Sequence, residues 1–330
     1  MERKIRDRLN GLADEGEPFL FVVDYRGREA YISKLSDIDT NECLYDFNGV
    51  TNVAEPFNPL SVARQRWRVR PPLWEDYRRS FGLVKRNILE GNSYLANLTC
   101  RVAVDCDLSL EDMFMCSRAK YRLLLRRNAG ETRGFVCFSP EIFVKTCGGR
   151  IYAYPMKGTM DASMENAREV LLADRKEAAE HATIVDLIRN DLSRIATDVR
   201  VDRYRYVDVV GTDKGDMLQT SSEISGKLPQ AVQRRVGDLL EALLPAGSIT
   251  GAPKDRTMEI IREAEGYERG FYTGVMGIYA NGELDSAVMI RFVEEDDDGM
   301  YFKAGGGITC MSDCKKEYEE MLRKVCLPVK

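Results

Sequence analysis

Apolar positions in this chain repeat in two different periods, and the switches between them set the expected elements. Between residues 17 and 53 they gather in short runs, Phe19-Leu20-Phe21-Val22-Val23, Glu29-Ala30-Tyr31-Ile32 and Glu42-Cys43-Leu44-Tyr45-Asp46-Phe47. Turn text at Arg26-Gly27 and Asn48-Gly49 separates them, a pattern that predicts strands. The period then changes. Leu73, Tyr77, Phe81, Val84 and Ile88 recur at helical spacing between Pro72 and Gly91. Residues 94–104 are strand-like, and Ser109-Leu110-Glu111-Asp112 reads as a capping box opening a helix through Leu125.

Strand text returns at 134–138 and 142–154, the second stretch turning back at Gly148-Gly149. Residues 165–195 form a long helical region with one expected break near Asp174, and Pro253 starts a helix running to about Ala264. Residues 272–308 are again β, with hairpin signals at Asn281-Gly282 and Asp298-Gly299, and 313–325 closes the chain as a helix. Hairpins mixed with helices, without strict βαβ alternation, predict an α+β fold. The Pro- and Arg-rich text of 55–72 reads as a connector. It suggests a short N-terminal β-rich part, 1–72, and a larger part, 73–330, that together form one continuous fold.

Charge and composition narrow the function. With 48 Lys and Arg against 53 Asp and Glu, the net charge is −5, which argues against a nucleic-acid coat or a membrane-surface binder. No apolar run approaches the ~18 residues that span a bilayer, and the charged start, Met1 to Arg8, lacks the apolar core of a signal peptide. Nine scattered cysteines fit reduced thiols in the cytoplasm better than a disulfide framework. The only histidine is His181, which excludes histidine-rich metal chemistry and leaves His181 as the sole candidate for any Ser-His-Asp or Cys-His-Asn arrangement.

Several constellations carry possible chemistry. Lys157 leaves a strand in Tyr154-Pro155-Met156-Lys157-Gly158-Thr159; by itself it is either a surface lysine after a hairpin or an amine activated by apolar surroundings. Glu177 and Glu180 share one helix face, as do Glu317 and Glu320. Each pair alone is an ordinary solvated face, whereas two facing pairs would suit Mg²⁺. Ala304-Gly305-Gly306-Gly307 follows a strand without opening a helix, so it fits a backbone anion nest better than a nucleotide loop. Arg291 ends the apolar Val288-Met289-Ile290 run, either as a paired structural residue or as a fork for a carboxylate. Gly247-Ser248-Ile249-Thr250-Gly251-Ala252-Pro253-Lys254 feeds a helix N-terminus, another anion-friendly place.

In this order, these segments resemble the chorismate-utilising enzyme family. The resemblance runs from about Leu73 to Val325. It includes Gly91-Asn92-Ser93-Tyr94, Ser139-Pro140-Glu141, the segment from Ile184 to Leu192, the Gly247 to Lys254 loop, Ile290-Arg291, Ala304 to Gly307 and Glu317-Tyr318-Glu319-Glu320. It implies the fold of anthranilate synthase component I, antiparallel sheets forming a sandwich flanked by helices, with 73–330 as the catalytic domain. Pro155-Met156-Lys157-Gly158-Thr159 resembles the Pro-Ile-Lys-Gly-Thr signature of aminodeoxychorismate synthases, where anthranilate synthases have alanine in place of the lysine.

The resemblance implies that Lys157 attacks the chorismate ring and Glu141 protonates the departing hydroxyl. It implies that Glu177, Glu180, Glu317 and Glu320 hold Mg²⁺. Thr159, Gln219, Ser248, Tyr272, Arg291, Gly305, Gly306 and Gly307 then contact substrate, and ammonia comes from a glutamine amidotransferase subunit. Leu95 stands where isochorismate-forming members carry a lysine that activates water, and Gln219 stands where the family usually has a histidine. Glutamine can hydrogen-bond but does not exchange protons near neutral pH. The alternative within the family is an anthranilate or 2-amino-2-deoxyisochorismate synthase.

Overall fold

The structure is a computed structural model that describes residues 1–54, 66–126, 134–212 and 215–326. In chain order the first elements are α1 (Arg3–Glu15), β1 (Phe19–Val23), β2 (Ala30–Lys34), β3 (Cys43–Phe47), β4 (Val50–Thr51) and β5 (Trp67–Arg70). Then follow α2 (Trp74–Leu89), β6 (Leu95–Cys106), α3 (Leu110–Cys116), β7 (Tyr121–Arg126), β8 (Gly134–Ser139), β9 (Ile142–Cys147), β10 (Arg150–Ala153) and β11 (Met156–Asp161). The middle of the chain gives α4 (Ala167–Ala173), α5 (Arg175–Leu192), β12 (Thr197–Thr212), β13 (Gly215–Lys227) and α6 (Val236–Leu243). The last elements are β14 (Gly251–Ala252), α7 (Lys254–Glu265), β15 (Val275–Ala280), β16 (Glu283–Val288), β17 (Phe292–Asp296), β18 (Gly299–Ile308) and α8 (Cys314–Arg323). The α+β class expected from the sequence is what forms.

The chain makes two compact units. The first comprises Met1–Lys34, Glu141–Ser248 and Met276–Ala287. Its sheet runs β11-β13-β10-β9-β16-β15-β1-β2, with β12 on the other side of β13. β1, Phe-Leu-Phe-Val-Val, is buried at every position, as an interior strand covered on both faces must be. The β9–β10 and β15–β16 hairpins turn at Gly148-Gly149 and Asn281-Gly282, where all four residues have positive φ; that geometry matches the strand twist and suits these residue types. The break expected near Asp174 is the N-cap of α5, whose Oδ1 accepts from the Glu177 amide at 3.0 Å.

The second unit comprises Leu35–Pro140, Ile249–Val275 and Val288–Lys330. Its sheet runs β14-β6-β18-β17-β8-β7-β3-β4 with β5 beside β6, and its pairings are antiparallel. Of the helical stripe read from the sequence, Tyr77, Phe81, Val84 and Ile88 are buried in its core with Leu98, Phe114, Phe138 and Phe302, whereas Leu73 is exposed as the residue that precedes the first turn of α2. The capping box at Ser109 and Asp112 is formed in both directions.

Three expectations change. The helix expected through Leu125 stops at Cys116, and Tyr121–Arg126 is a strand instead, because that apolar run finds ladder partners on both sides, β3 and β8. The connector text contains a strand, Trp67–Arg70, pairing with β6; residues 55–65 of that connector lie outside the described residues. The charged N-terminus forms α1, which buries Ile5, Leu9 and Leu12 on one face. No helix among the described residues is long and apolar enough to cross a membrane.

Within the first unit α1 packs closely against α6. A Cβ placed at Gly237 would stand 2.2 Å from the Arg6 carbonyl oxygen, and the Gly237 amide donates to Asn10 Oδ1 at 2.8 Å. Gly237→Ala is therefore expected to lower unfolding stability by about 1–3 kcal/mol, as overpacking against rigid backbone does. Urea unfolding measures it.

Candidate active site

In the first unit the Pro155–Thr159 segment becomes an edge of the sheet with a deliberate irregularity. β11 pairs with β13 through Lys157 against Thr220 and Thr159 against Gln219, and the register shifts between Lys157 and Thr159. Gly158 is the extra residue, at φ 74°, the conformation a glycine bulge uses. A Cβ there would stand 3.1 Å from Glu177 Oε2, a tight fit, and the positive φ itself favours glycine. The Thr220 hydroxyl donates to the Lys157 carbonyl.

The bulge brings Lys157 to α5. Its Nζ lies 3.3 Å from Glu180 Oε2, and Lys176, one turn before Glu180, reaches the other carboxylate oxygen at 3.6 Å. Burial and then the neighbouring Glu180 charge raise the Glu177 carboxyl above its ordinary value, with Lys157 acting against them. Lys157 thus faces carboxylates rather than an apolar pocket.

His181 follows directly and is fully buried. Its Nε2 is 2.7 Å from Ser222 Oγ, which also accepts from the Arg205 amide at 2.8 Å. Burial, with Arg205 and Lys157 adding to it, pushes the imidazole down to about 4, so it is neutral at pH 7. Its Nδ1 has no partner among the described residues. Gln219 is half-buried, between Thr159 on β11 and Asp208 on β12. In the same unit the Ser248 hydroxyl donates to Glu141 Oε1 at 2.6 Å, joining two residues named separately from the sequence.

The second unit holds Tyr272, Arg291, the glycines and the other glutamate pair. Tyr272 is buried against Phe292, ring centroids 5.7 Å apart, and burial pushes its phenol up. Arg291 has φ 55°, a left-handed backbone costing a non-glycine residue about 1–2 kcal/mol. Its Nη1 donates to the Lys324 carbonyl at 2.8 Å. Leu95 is buried on β6 and pairs with Ala252.

Gly305, Gly306 and Gly307 are strand residues of β18, opposite Thr99, Leu98 and Asn97 of β6. On the other side β17 pairs only as far as Lys303, so the ladder gives that edge of the glycines no strand partner among the described residues. The Gly305 carbonyl accepts from Lys324 Nζ at 3.0 Å. It therefore turns away from β6, and by strand alternation Gly307 does the same. Close contact explains one of the glycines: a Cβ at Gly305 would stand 2.4 Å from the Leu98 carbonyl, whereas one at Gly306 would make only ordinary contact with Glu317 Oε2 at 3.4 Å. Glu317 is mostly buried, and Glu320 pairs with Lys324 at 3.0 Å.

Two residues of this unit were missed in the sequence reading. Lys324 links Glu320, Gly305 and, through its carbonyl, Arg291; its only sequence signal was the i,i+4 spacing from Glu320. Thr250 lies in the Gly247–Lys254 loop, two residues after Ser248. Its Oγ1 is buried without a partner among the described residues.

Among the described residues no three His, Cys, Asp or Glu side chains gather closely enough to hold a metal. Mg²⁺, however, is commonly held by one or two protein carboxylates, with waters and ligand oxygens completing its shell. The Glu177–Glu180 pair, its charges side by side and one of them raised, suits that role.

Residues 22–329 match the family of chorismate binding enzymes. The chain is 43% identical to a Haemophilus influenzae protein described as an uncharacterized PabA-like protein, over 98% of this chain and 96% of that one. It is 32% identical to anthranilate synthase component 1 of Arthrobacter globiformis over 85% of this chain, and spans only 55% of that longer protein. Among solved structures, anthranilate synthase component I from Streptococcus pneumoniae superposes with TM-score 0.66 at 28% identity, over 79% of this chain and 58% of that one. MenF, the menaquinone-specific isochorismate synthase of Escherichia coli, shares the fold with TM-score 0.73 at 18% identity, over 98% of this chain and 79% of that one. The chain belongs to the chorismate-binding enzyme family.

Proposed function

We propose that this enzyme converts chorismate and ammonia to 4-amino-4-deoxychorismate, the precursor of p-aminobenzoate for folate synthesis, through a covalent adduct on Lys157. The observation that carries the reading is Lys157 itself. It sits in its Pro-Met-Lys-Gly-Thr segment on a glycine bulge, with its amine against the α5 carboxylates. The PabA-like relatives support the p-aminobenzoate direction.

The chemistry balances as two displacements. Lys157, once its proton has passed to a neighbouring carboxylate or to water, forms a bond from its amine to ring carbon C2 as both ring double bonds shift and the C4 hydroxyl leaves, protonated by Glu141, as water. Ammonia then bonds to C4, both double bonds shift back, and the lysine leaves C2 with its electron pair. Splitting one hard displacement into two is what a covalent nucleophile contributes. The Ser248 hydroxyl on Glu141 supports the acid's orientation. Leu95 offers no base for water, and Gln219 supplies no proton-exchanging group for a later pyruvate-releasing step.

Glu177 and Glu180 are the proposed Mg²⁺ ligands in the first unit, and Glu317 and Glu320 carry the same proposal in the second. The ion would neutralise and orient the substrate's ring carboxylate. Ammonia would be delivered by a separate glutaminase subunit, since the chain has one histidine and its Nε2 is engaged by Ser222. Nine free cysteines support a reducing, cytoplasmic setting.

Chorismate, an ammonium salt and Mg²⁺, coupled to the downstream lyase, are expected to yield p-aminobenzoate. EDTA should stop the reaction, and added Mg²⁺ restore it. Fluorescent anthranilate, or accumulation of the 2-amino isomer, would overturn the reading. Glu141→Gln is expected to lower kcat by about 10²–10⁴-fold, the ordinary contribution of a positioned general acid; stopped-time product assays measure it.

A further inference from the structure

Arg269 lies outside every motif read from the sequence, yet it is 3% exposed in the second unit. A guanidinium has five N–H donors, and here each has an acceptor. Nε and Nη2 fork onto the Glu265 carboxylate at 2.9 and 2.6 Å. Nη2 also donates to the Asn97 carbonyl at 2.6 Å. Nη1 donates to the Ile249 carbonyl at 3.0 Å and to Thr273 Oγ1 at 3.2 Å.

Besides Glu265, those acceptors belong to three separate segments. Asn97 stands opposite Gly307 in the ladder, and Thr99 opposite Gly305 is fixed through its amide and hydroxyl to Glu265 Oε1, both at 2.8 Å. Ile249 precedes Thr250, with its buried, unpartnered hydroxyl. Thr273 follows Tyr272, and its amide donates to the Met289 carbonyl at 2.8 Å, two residues before Arg291. Thr273 is β-branched and held at φ 62°, a conformation such residues avoid unless their surroundings impose it. Its hydroxyl bonds to Arg269 and to the Tyr272 carbonyl at 2.6 Å.

A brace for the fold alone would not need this arrangement. Buried ion pairs add little net stability over well-packed apolar residues. What an apolar residue cannot do is grip two carbonyls and a hydroxyl at fixed angles. We propose that Arg269 is a positioning residue for chorismate, its guanidinium fixing the Tyr272–Thr273 turn, the Ile249–Thr250 segment and the β6 strand beneath the triple glycine relative to one another. This rests on the reading that Tyr272, Arg291 and the glycine amides hold a substrate carboxylate. Arg269 itself touches no substrate. Groups that bind a non-reacting carboxylate act on ground and transition state alike, so their misplacement raises KM and spares kcat.

The test follows chorismate loss in the full chain at saturating ammonium and Mg²⁺, alongside the urea midpoint. Arg269→Lys, a point charge in place of a fork, is expected to raise KM for chorismate about tenfold or more while kcat stays within about threefold. Thr273→Val keeps the branched shape without the hydroxyl and is expected to raise KM severalfold, and Thr273→Ser, with the hydroxyl restored, to bring it back. A lowered urea midpoint with unchanged KM in Arg269→Lys and Thr273→Val would make Arg269 a brace only and overturn the proposal. Should Arg269→Lys fail to fold, the Val-to-Ser ratio of KM at position 273 decides: a ratio near one overturns it. Because KM is read from chorismate loss, a product other than 4-amino-4-deoxychorismate would refute the functional reading and leave this comparison standing.

Discussion

Glu177 and Glu180 lie one helical turn apart on α5, and their charges repel at a site that burial partly removes from water. Such a pair persists only where positive charge is close. In the first unit Lys157 provides it, with its Nζ at 3.3 Å from Glu180. Much of the local architecture serves that meeting. The glycine bulge at Gly158 makes room for Glu177, the Thr220 hydroxyl fixes the Lys157 carbonyl, and Asp174 caps α5 so that its first turn carries Glu177. The carboxylate pair proposed to hold the cation and the lysine proposed to attack the ring thereby belong to the same cluster.

The second unit obeys a related constraint with different means. Two of its cations are buried in saturated networks: Arg269 with Glu265 and backbone carbonyls, Lys303 with Glu294 and the Arg269 carbonyl at 3.0 Å. Buried charge is tolerable only when fully paired and hydrogen-bonded. Rigidity is the consequence, and it falls on the segments next to the triple glycine, Tyr272 and Arg291. Two of the positive-φ non-glycine residues of the chain, Thr273 and Arg291, occur in this unit beside those groups, where surrounding bonds hold a conformation that the local sequence would not choose.

The sequence was most legible where a local rule and the tertiary structure agree. Asn281-Gly282 announced a hairpin because few other residues accept its two positive φ angles, and Ser109 with Asp112 announced a helix start because the box is satisfied within four residues. The helix expected through Leu125 failed for the opposite reason. Tyr-Arg-Leu-Leu-Leu-Arg fits either period, and only its ladder partners decide. The strand at Trp67 was hidden by proline- and arginine-rich surroundings, and α1 by a charged start. For the site, residue identities were legible through family resemblance, whereas their partners were not. The pairing of Lys157 with Glu180, of Glu141 with Ser248, and the hub at Arg269 join residues 23, 107 and up to 172 positions apart. No local pattern encodes such contacts.

The central claim, that Lys157 becomes covalently bonded to the substrate ring, is tested most directly by intact-mass spectrometry of enzyme quenched with chorismate and Mg²⁺ in the absence of ammonia. Wild-type protein should gain the mass of chorismate less one water, the adduct should map to the Pro155–Thr159 segment, and Lys157→Ala protein should gain nothing. Ammonia-dependent turnover of chorismate by a Lys157→Ala protein that remains folded, or an adduct on another residue, would contradict it.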